Sequence, residues 1–492
     1  MPLNVTIRKS GRVVAALLAA ALPLTAATTA NAAPSAAARL AATAKQSPHK
    51  RVTAIVQFKA SVSPARAKRI VKAHKGQVTD RLPAVRGFAV KLPAKQARSL
   101  KRAKGVIDVT LNTKVSSTGF DGALTASDYP HTTGAVRAWT TGVTGKGVGV
   151  AIIDSGIDGD LADFQGRVTN VIANPGATEA GDPVGHGTHV AGIVAGDGSD
   201  GRYTGIAPQA DLIAVKTADD DGNSTVLDVI NALQFVVEHK DDLNIKVVNL
   251  SVSADTPSSY ESDPLDAAAE FAWHAGLVVV AAAGNRGDAA DAVQYAPGND
   301  PYVISVGATD EADTRTPDDD VLATFSSRGT TQDGFAKPEL VAPGAKIVAP
   351  LAAGSAFAQL APATSLVDGG YVRMGGTSMA APVVAGAAAL VLQARPDLSP
   401  DQVKAVLTEN VSRTADGQAE LNIPAALAAR PGRANVGLTP NTVVKEALVS
   451  AGVDPTRATW TRATWTRATW TAAAHGTAAP WARATWTCAH CG

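Results

Sequence analysis

Three polar residues in this 492-residue sequence stand where nucleophilic chemistry could occur. Asp154 ends the apolar run VGVAIID, His186 lies between glycines ahead of the stretch THVAGIVAG, and Ser378 opens the stretch SMAAPVVAGAAALVL. A serine hydroxyl becomes an effective nucleophile when an imidazole takes its proton, and the imidazole needs a carboxylate to orient it and to stabilise its charge. Taken singly, the three residues are typical of a turn, a structural histidine and a helix N-cap. Together they predict a catalytic triad for acyl transfer.

These residues need elements that bring them to one place. Five short apolar runs with little alternation favour parallel strands buried on both faces: VGVAIID, ADLIAVKT, IKVVNLS, GLVVVAAAG and YVISVGA. Helical patterns such as STVLDVINALQFVVEHK separate several of these runs. The alternation predicts right-handed crossovers and a doubly wound α/β domain with a mostly parallel sheet over residues 145–430. In such a sheet the C-terminal strand ends and the adjoining helix starts meet at one edge, where ligands bind.

The segments DSGID, GHGTHVAGI and GTSMAAP resemble, in this chain order, the motifs of the subtilisin family of serine peptidases. The resemblance covers roughly residues 145–430. It implies the subtilisin-like α/β fold and a serine endopeptidase that hydrolyses polypeptides through an acyl-enzyme intermediate. It also implies a role for Asn285, which ends the run VVVAAAGN. By resemblance, its side-chain amide is a donor of the oxyanion hole, beside the backbone N–H of Ser378.

The same resemblance implies a groove that pairs with an extended substrate peptide. The residues implied for the two walls of its primary pocket are Ser251, Val252 and Ser253 on one side and Ala281, Ala282 and Gly284 on the other. The family usually has Gly where Ser253 stands, so the pocket differs there from the family's pattern. Because the lining is small and uncharged, we expect cleavage after apolar residues.

A structural calcium ion is the one cofactor that the resemblance implies. Asp163 aligns with a family calcium ligand, and the loop GDGSDGRYTG, which contains Asp197 and Asp200, occupies the position of a family calcium loop. The alternative is an ordinary Gly/Asp turn. His186 and His189 form an H-x-x-H pair, but a zinc site there lacks a third ligand. Catalysis is expected to need no cofactor.

The first 32 residues have the features of a secretory signal peptide. Arg8, Lys9 and Arg12 precede a short apolar stretch, and Ala30-Asn31-Ala32 fits a cleavage site. The alternative is a membrane anchor, but the stretch is shorter than a spanning helix needs, and no later run reaches that length uninterrupted. We therefore expect a secreted, extracellular monomer without a membrane span.

The N-terminal part of the chain, up to residue 115, differs in charge from the rest. Residues 1–115 carry 22 Lys or Arg and two acids, whereas residues 116–492 carry a net charge of −19, from 23 basic and 42 acidic residues. After an expected flexible spacer over 33–50, the segment 51–115 has a β-α-β-β-α-β pattern that predicts a ferredoxin-like α+β module. It resembles the family's inhibitor-like propeptide, and its charge would favour docking on an acidic enzyme. A nucleic-acid-binding arm is the alternative, but interleaved aromatics are missing.

The remaining segments are expected to lie outside the domains. Residues 116–144 are polar and rich in Gly and Thr, typical of a processing region, and 431–492 contain four copies of RATWT, typical of a low-complexity tail. The tail could bind a surface or be lost in maturation, and Cys488 and Cys491 could form a small disulfide loop, bind a metal weakly or do neither. A catalytically inactive binding protein with the same fold is the other functional alternative.

Overall fold

The computed structural model describes residues 36–116, 128–197, 203–312, 314–451 and 453. The predicted signal peptide, Asp200 and the RATWT repeats therefore lie outside the described residues. The described helices are α1 (Ala36–Gln46), α2 (Pro64–Ala73), α3 (Ala94–Leu100), α4 (Tyr129–Thr132), α5 (Ala135–Trp139), α6 (His186–Ala195), α7 (Val226–His239), α8 (Pro264–His274), α9 (Ala356–Leu360), α10 (Thr377–Ala394), α11 (Pro400–Glu409), α12 (Ile423–Ala428) and α13 (Thr442–Ser450), with 3-10 turns η1 (Pro83–Val85) and η2 (Ala162–Phe164).

The strands fall into one large sheet and several small ones. They are β1 (Arg51–Phe58), β2 (Gln77–Leu82), β3 (Gly87–Pro93), β4 (Val106–Leu111), β5 (Lys114–Ser116), β6 (Gly149–Asp154), β7 (Val168–Ile172), β8 (Asp211–Lys216), β9 (Ser224–Thr225), β10 (Ile245–Leu250), β11 (Ser253–Ala254), β12 (Val278–Ala282), β13 (Ile304–Asp310), β14 (Val321–Leu322), β15 (Gly329–Thr330), β16 (Ala336–Lys337), β17 (Leu340–Pro343), β18 (Ile347–Pro350), β19 (Leu366–Val367), β20 (Tyr371–Met374), β21 (Ser412–Arg413) and β22 (Ala419–Glu420).

The segment from β1 to β4 forms a small unit with its own sheet and its own core. Its four strands pair antiparallel in the order β2-β3-β1-β4, and α2 and α3 connect them as the sequence predicts. Apolar side chains of β1, β3 and β4 pack with those of α2 and α3 in a separate hydrophobic cluster. This strand order, with two connecting helices, is typical of a ferredoxin-like arrangement.

The expectation of a flexible spacer over residues 33–50 is wrong for most of that segment. Residues 36–46 form α1, which packs against α3 and β4. Leu40 and Ala44 are buried, because they lie four residues apart and so face the same side of the helix. The Ala-rich composition that suggested a spacer is equally that of a good helix former, and one apolar stripe decides between them.

The large sheet confirms the predicted doubly wound α/β fold. Seven strands run parallel in the order β17-β13-β12-β10-β6-β8-β7, and the short β21, β22 and β14 extend or flank it. The strand β6 comes first along the chain, with β8 on one side of it and β10 on the other. Strand order therefore reverses at β6, which opens a crevice at its C-terminal end, where Asp154 stands.

Helix α10 passes through the middle of this unit. It contacts β10, β12, β13 and β17 as well as α6, and all its residues from Thr377 to Leu392 are buried. Its many alanines allow this close packing. Among the described residues it is the one helix long and apolar enough to span a membrane, but 89% of its apolar window is buried inside the protein. Its composition is thus explained by its place in the core.

The packed unit extends beyond the expected boundaries at residues 145 and 430. Upstream, α4 and α5 bury Tyr129, Ala135 and Ala138 in the main core, although the sequence suggested a processing region over 116–144. Downstream, α13 buries Val444 and Leu448 in the same core, although 431–492 was expected to be a tail throughout. The few apolar side chains that pack into the core do not stand out in the overall composition of these two segments, so composition alone did not predict their burial.

Candidate active site

Asp154 and His186 form a short buried contact at the C-terminal end of the central sheet. Asp154 ends β6, and its Oδ1 lies 2.7 Å from Nδ1 of His186. Since a carboxylate can only accept, Nδ1 carries the proton and donates it. Oδ1 also accepts the N–H of Ser155 at 2.7 Å. These two bonds fix the carboxylate and leave Nε2 of the imidazole as the nitrogen with a lone pair.

The loop before His186 is held by a buried carboxylate that the sequence reading missed. Asp182 Oδ1 accepts from Ser155 Oγ and Gly185 N at 2.8 Å each. Its Oδ2 accepts the N–H and hydroxyl of Thr188 at 2.8 and 2.7 Å. Four donors therefore converge on one side chain, which joins the end of β6 to the start of α6. The sequence shows only an Asp four residues before His186, and the four donors come together on it when the chain folds.

The start of α6 also requires glycine at one position. A Cβ on Gly187 would overlap the backbone carbonyl of Gly156, because the first turn of α6 lies directly against the loop that follows β6. This close approach is what brings the ring of His186 within reach of Asp154. The glycine next to the histidine is therefore explained by packing.

The surroundings of His186 favour its charged form. Burial opposes the charge, but the charge of Asp154, the hydrogen bond to it and the charge of Asp182 together outweigh burial and raise the pKa of His186 above its ordinary value. Nε2 is buried and has no hydrogen-bond partner among the described residues. The imidazole is thus a stronger base than a free histidine, with its accepting nitrogen available.

Ser378 lies at the start of α10, next to the segment that follows β10. Its Oγ donates to the carbonyl of Ser251 at 3.2 Å, and Ser251 Oγ in turn donates to the carbonyl of Ser378 at 2.8 Å. Asn249 Nδ2 donates to Ser251 Oγ at 2.9 Å and so orients that hydroxyl. This reciprocal pair joins the predicted nucleophile to one predicted wall of the substrate pocket.

Asn285 is oriented by the residue that precedes Ser378. Its side-chain oxygen accepts from both the N–H and the hydroxyl of Thr377, each at 2.9 Å. With the oxygen occupied, the two N–H groups of the amide point away from Thr377. The N–H of Gly284 also bonds the Thr377 hydroxyl at 3.1 Å, and Gly284 has a φ of +104°, which favours glycine. Thr377 is a second functional residue that the sequence reading did not single out.

The residues expected to line the pocket follow two adjacent strands. Ser251, Val252 and Ser253 continue from the end of β10, and Ala281 and Ala282 end the neighbouring β12. Gly284 follows two residues later. Ser251, Val252 and the two alanines are buried, and Ser253 is partly exposed. The structure therefore places both walls at the same edge of the sheet as Asp154.

A strand from upstream in the chain lies in the groove beside this pocket. β5 pairs antiparallel with β11, Ser116 opposite Ser253, and on its other side antiparallel with β9, Lys114 opposite Thr225. The resulting three-stranded sheet has the order β11-β5-β9. An extended segment of this chain thus adds a strand between the short strands β11 and β9, the way a peptide ligand binds by β-augmentation. The edge formed by Ser224 and Thr225 was not predicted from the sequence.

Helix α9 packs beside His186. The ring of Phe357 meets the imidazole edge to face, with centroids 6.1 Å apart. The N–H groups of Ala356 and Phe357 donate to the carbonyls of Pro183 and Val184, at 2.8 and 3.0 Å. These bonds attach α9 to the loop that carries the histidine. No sequence motif marks Phe357, which lies far along the chain from His186.

The hydrogen bonds described around Asp163 do not match the calcium site that the resemblance implied. Asp163 Oδ1 accepts the hydroxyl of Tyr371 at 2.8 Å, and its carbonyl accepts Nη2 of Arg167 at 3.0 Å. The same guanidinium lies 3.9 Å from a carboxylate oxygen of Asp197. Within the described ranges, no group of three His, Cys, Asp or Glu side chains is arranged to hold a metal. Among the described residues, the guanidinium of Arg167 lies between Asp163 and Asp197, while Asp200 lies outside the described residues.

Known proteins resemble this chain in sequence and in fold. The sequence model of the subtilase family, Peptidase_S8, matches residues 145–429, more than half of the chain. Serine protease AprX of Bacillus subtilis (strain 168) is 40% identical over 301 residues, covering 59% of this chain and 67% of AprX. Subtilisin E of the same strain is 31% identical over 358 residues, covering 71% of this chain and 82% of that protein.

A solved structure extends the likeness in fold. Fervidolysin from Fervidobacterium pennivorans, a keratinolytic enzyme related to subtilisin, superimposes with a TM-score of 0.62 over 78% of this chain and 62% of its own. The two sequences are 24% identical, so this likeness bears on the fold alone.

Proposed function

The chain belongs to the subtilase family of serine endopeptidases, and we propose that Asp154, His186 and Ser378 are its catalytic triad and that it is made as a secreted precursor that processes itself. The observation that carries the proposal is the 2.7 Å contact between Asp154 and His186 at the sheet edge where Ser378 opens α10. This edge is also where strand β5 lies in the peptide groove.

The first half of the reaction follows from the orientation of His186. Nε2 takes the hydroxyl proton of Ser378 as Oγ bonds to the substrate carbonyl carbon, and the carbonyl π electrons move onto its oxygen. Asp154 remains ionised and stabilises the imidazolium. The imidazolium then gives the proton to the leaving amine as the C–N bond breaks, which leaves an ester on Ser378. Water, activated by the same nitrogen, hydrolyses that ester in the second half and restores the hydroxyl.

Asn285 is proposed to stabilise the charge that develops on the carbonyl oxygen. Because Thr377 occupies its side-chain oxygen, the amide presents its N–H groups without needing to reorient during the reaction. Preorganised donors of this kind stabilise the transition state more than the resting substrate. The reaction as proposed needs no metal or cofactor, since the nucleophile, the base and the oxyanion donor all belong to the protein.

The substrate class is polypeptide, and the pocket is proposed to favour apolar side chains. Main-chain pairing with β11 and β9 would hold any extended peptide, irrespective of sequence. The proposed walls from Ser251 to Ser253 and from Ala281 to Gly284 carry no charge. Selection of a basic or acidic side chain would leave its charge without a partner there, which costs free energy.

The N-terminal unit is proposed to be the propeptide. Leu82 and Val85 are fully buried in the same hydrophobic cluster as the catalytic core, and η1 packs against α7 and α8. Arg39 on α1 donates to the carbonyl of Asp255, just after β11, at 2.8 Å. These contacts hold the N-terminal unit beside the groove that β5 occupies. The unit would therefore block substrate binding until the chain is cut after β5 and the unit dissociates.

A single substitution tests the proposed triad and self-processing together. The full chain with Ser378→Ala should hydrolyse no peptide substrate and should remain uncut after purification. The variant Thr330→Ala, which changes an exposed threonine on β15, should mature and act like the parent. The proposal fails if purified Ser378→Ala protein removes its own N-terminal unit with no other protease present. Secretion is tested separately by finding in the culture medium a protein that lacks residues 1–32.

A further inference from the structure

Helix α13 lies outside the part of the chain that the family model matches, yet it belongs to the catalytic unit. The match ends at residue 429, and α13 spans Thr442–Ser450. Val444 and Leu448 are buried in the main core. Asn441, the N-cap of α13, is fully buried, and its amide donates to the carbonyls of Tyr260 and Asp263.

Helix α8 supports both α13 and the N-terminal unit. The backbone N–H of Asn441 donates to both carboxylate oxygens of Glu270 on α8, at 2.9 and 2.8 Å. Helix α8 also packs against η1, which connects β2 and β3 of the N-terminal unit. α13 and η1 therefore share one supporting helix, and α13 stands beside the docked N-terminal unit.

Glu446 on α13 makes the polar contact between the two. Its Oε2 accepts the backbone N–H of Ala60, in the turn after β1, at 2.7 Å. Its negative charge also acts favourably on Arg86, the half-buried residue that follows η1. One carboxylate thus accepts a hydrogen bond from the turn after β1 and acts electrostatically on a cation after η1.

We propose that α13 is a docking surface for the N-terminal unit of this chain and that Glu446 holds the unit in place after the connection to the catalytic unit is cut. The proposal rests on the proposed role of that unit as a propeptide. It assigns a function to a segment beyond the family match, and it makes release of the unit depend on a contact remote from the triad.

The test measures docking without relying on the enzyme's own activity. A recognition sequence for a foreign protease is placed within residues 117–127 of the full Ser378→Ala chain, the chain is cut there, and dissociation of the two pieces is followed after dilution. Glu446→Gln and Glu446→Ala should dissociate roughly two- to tenfold faster than the parent in about 0.05 M salt. For Glu446→Gln, the difference should shrink in about 0.5 M salt, because screening weakens the lost charge interaction.

Two controls assign the effect to this contact. Glu409→Gln, an exposed glutamate on α11, should dissociate at the parent rate. Arg86→Gln combined with Glu446→Gln should be less severe than the two single effects together, because the residues share one interaction. Parent-like dissociation of both Glu446 variants at low salt would overturn the docking role. If instead the uncut wild-type precursor is already fully active, the propeptide proposal fails while the docking measurement still stands.

A second, independent inference concerns Arg167. Its Nη1 donates to the carbonyl of Ala210 at 2.8 Å, and its Nη2 donates to the carbonyls of Asp163 and Ala195 at 3.0 and 2.9 Å. The carbonyl of Asp163 also accepts the N–H of Asp197 at 3.0 Å. Three chain segments around this point are therefore joined by one guanidinium, whose side chain is only 17% exposed.

We infer that the guanidinium of Arg167 takes the place that a structural calcium ion would need between Asp163 and Asp197. The guanidinium already donates to three carbonyl oxygens that a hard cation would otherwise collect, and it places a fixed positive charge 3.9 Å from a carboxylate oxygen of Asp197. The fold around α6 and β8 is then stabilised by a side chain, whatever the calcium concentration.

Thermal unfolding of the full Ser378→Ala chain tests this inference without interference from self-digestion. The melting temperature of this protein and of its Asp163→Asn variant should respond equally to EDTA, or not respond at all. Arg167→Ala should melt roughly 2–6 °C lower, because several buried carbonyls lose their donor, and Arg167→Lys should lie between. The inference is overturned if EDTA destabilises the parent chain and Asp163→Asn abolishes that sensitivity.

Discussion

At the scale of single residues, neighbouring groups hydrogen-bond one polar atom of each reacting side chain and leave its other polar atom for the substrate or the nucleophile. Thr377 engages the oxygen of Asn285 and leaves the amide N–H groups to a ligand. Asp154 engages Nδ1 of His186 and leaves Nε2. Each partner fixes orientation before substrate arrives, so little reorganisation is needed during the reaction.

Replacing Asn285 with Ala should lower kcat by roughly 10²–10³, with little change in KM. This is the range known from removing the equivalent donor in subtilisin, and it arises because the donor meets the oxyanion more closely than the resting carbonyl. Steady-state kinetics on a peptide substrate measures it, with circular dichroism as the check on folding. An unchanged kcat would remove Asn285 from the mechanism.

The acid limb of the pH profile should lie above the ordinary histidine value of about 6.5. Only neutral His186 can accept a proton, and the charge of Asp154 raises its pKa despite burial. Activity should therefore be lost as the pH falls through this raised pKa and be complete above it. The pH dependence of kcat/KM measures the limb. An inflection at or below the ordinary value would contradict this account of the site.

At the scale of elements, the loop between β7 and α6 depends on one buried carboxylate. Asp182→Asn keeps the size of the side chain but places an N–H₂ group against donors from Ser155, Gly185 or Thr188. We expect a loss of about 2–4 kcal/mol in the free energy of unfolding, because the lost bonds leave buried donors unpaired. Denaturant unfolding of the Ser378→Ala chain with and without this change measures the loss. A stability within about 0.5 kcal/mol of the parent would show that the network is dispensable.

The elements that could be predicted are those whose apolar pattern is continuous. The runs that became β6, β8, β10, β12 and β13 are buried on both faces, and the sequence placed each of them correctly. The segments that were misjudged, α1, α4, α5 and α13, are short helices in polar or low-complexity surroundings. Each is held by two or three buried apolar side chains whose partners lie far away in the chain, and no local pattern reveals those partners.

The site divides in the same way. Asp154, His186 and Ser378 each lie in a short contiguous motif, so the sequence alone identified them as candidates. Asp182 and Phe357 act through contacts that only the folded chain creates. The expectation of calcium at Asp163 rested on the sequence, which does not show that the guanidinium of Arg167, four residues away, bonds the carbonyl of Asp163.

At the scale of the whole molecule, the charge asymmetry of the sequence has a structural counterpart. In the basic N-terminal unit, Arg39 pairs with Asp255 of the rest of the chain, and the negative charge of Glu446 acts favourably on Arg86. Apolar burial of Leu82 and Val85 accompanies these pairs. Charge complementarity of this kind speeds docking and makes it depend on salt, whereas the apolar contacts persist at high salt.

The register in the groove predicts where the precursor is cut. Ser116 lies opposite Ser253, and Ser378 Oγ contacts the carbonyl of Ser251. Because β5 runs antiparallel to β11, its C-terminal end faces the end of β10, where Ser251 follows. We therefore expect the first cut to fall after Ser116 and before Tyr129, where α4 begins. N-terminal sequencing of freshly cut precursor checks this, and a first cut upstream of Ser116 would contradict the register.

The central claim is that Ser378, activated by His186, is the nucleophile. Treating the processed enzyme with a fluorophosphonate, which forms a covalent bond to activated serine hydroxyls, and locating the label by peptide mass mapping tests this claim directly. We predict one labelled residue, Ser378, with loss of peptide hydrolysis in proportion to labelling. Because self-processing should also stop, Ser378→Ala and His186→Ala chains are compared after cutting by the foreign protease and removal of the N-terminal unit, and neither should be labelled at an appreciable rate. Label on a different serine, or equally rapid labelling of Ser378 in the His186→Ala chain, would contradict the account.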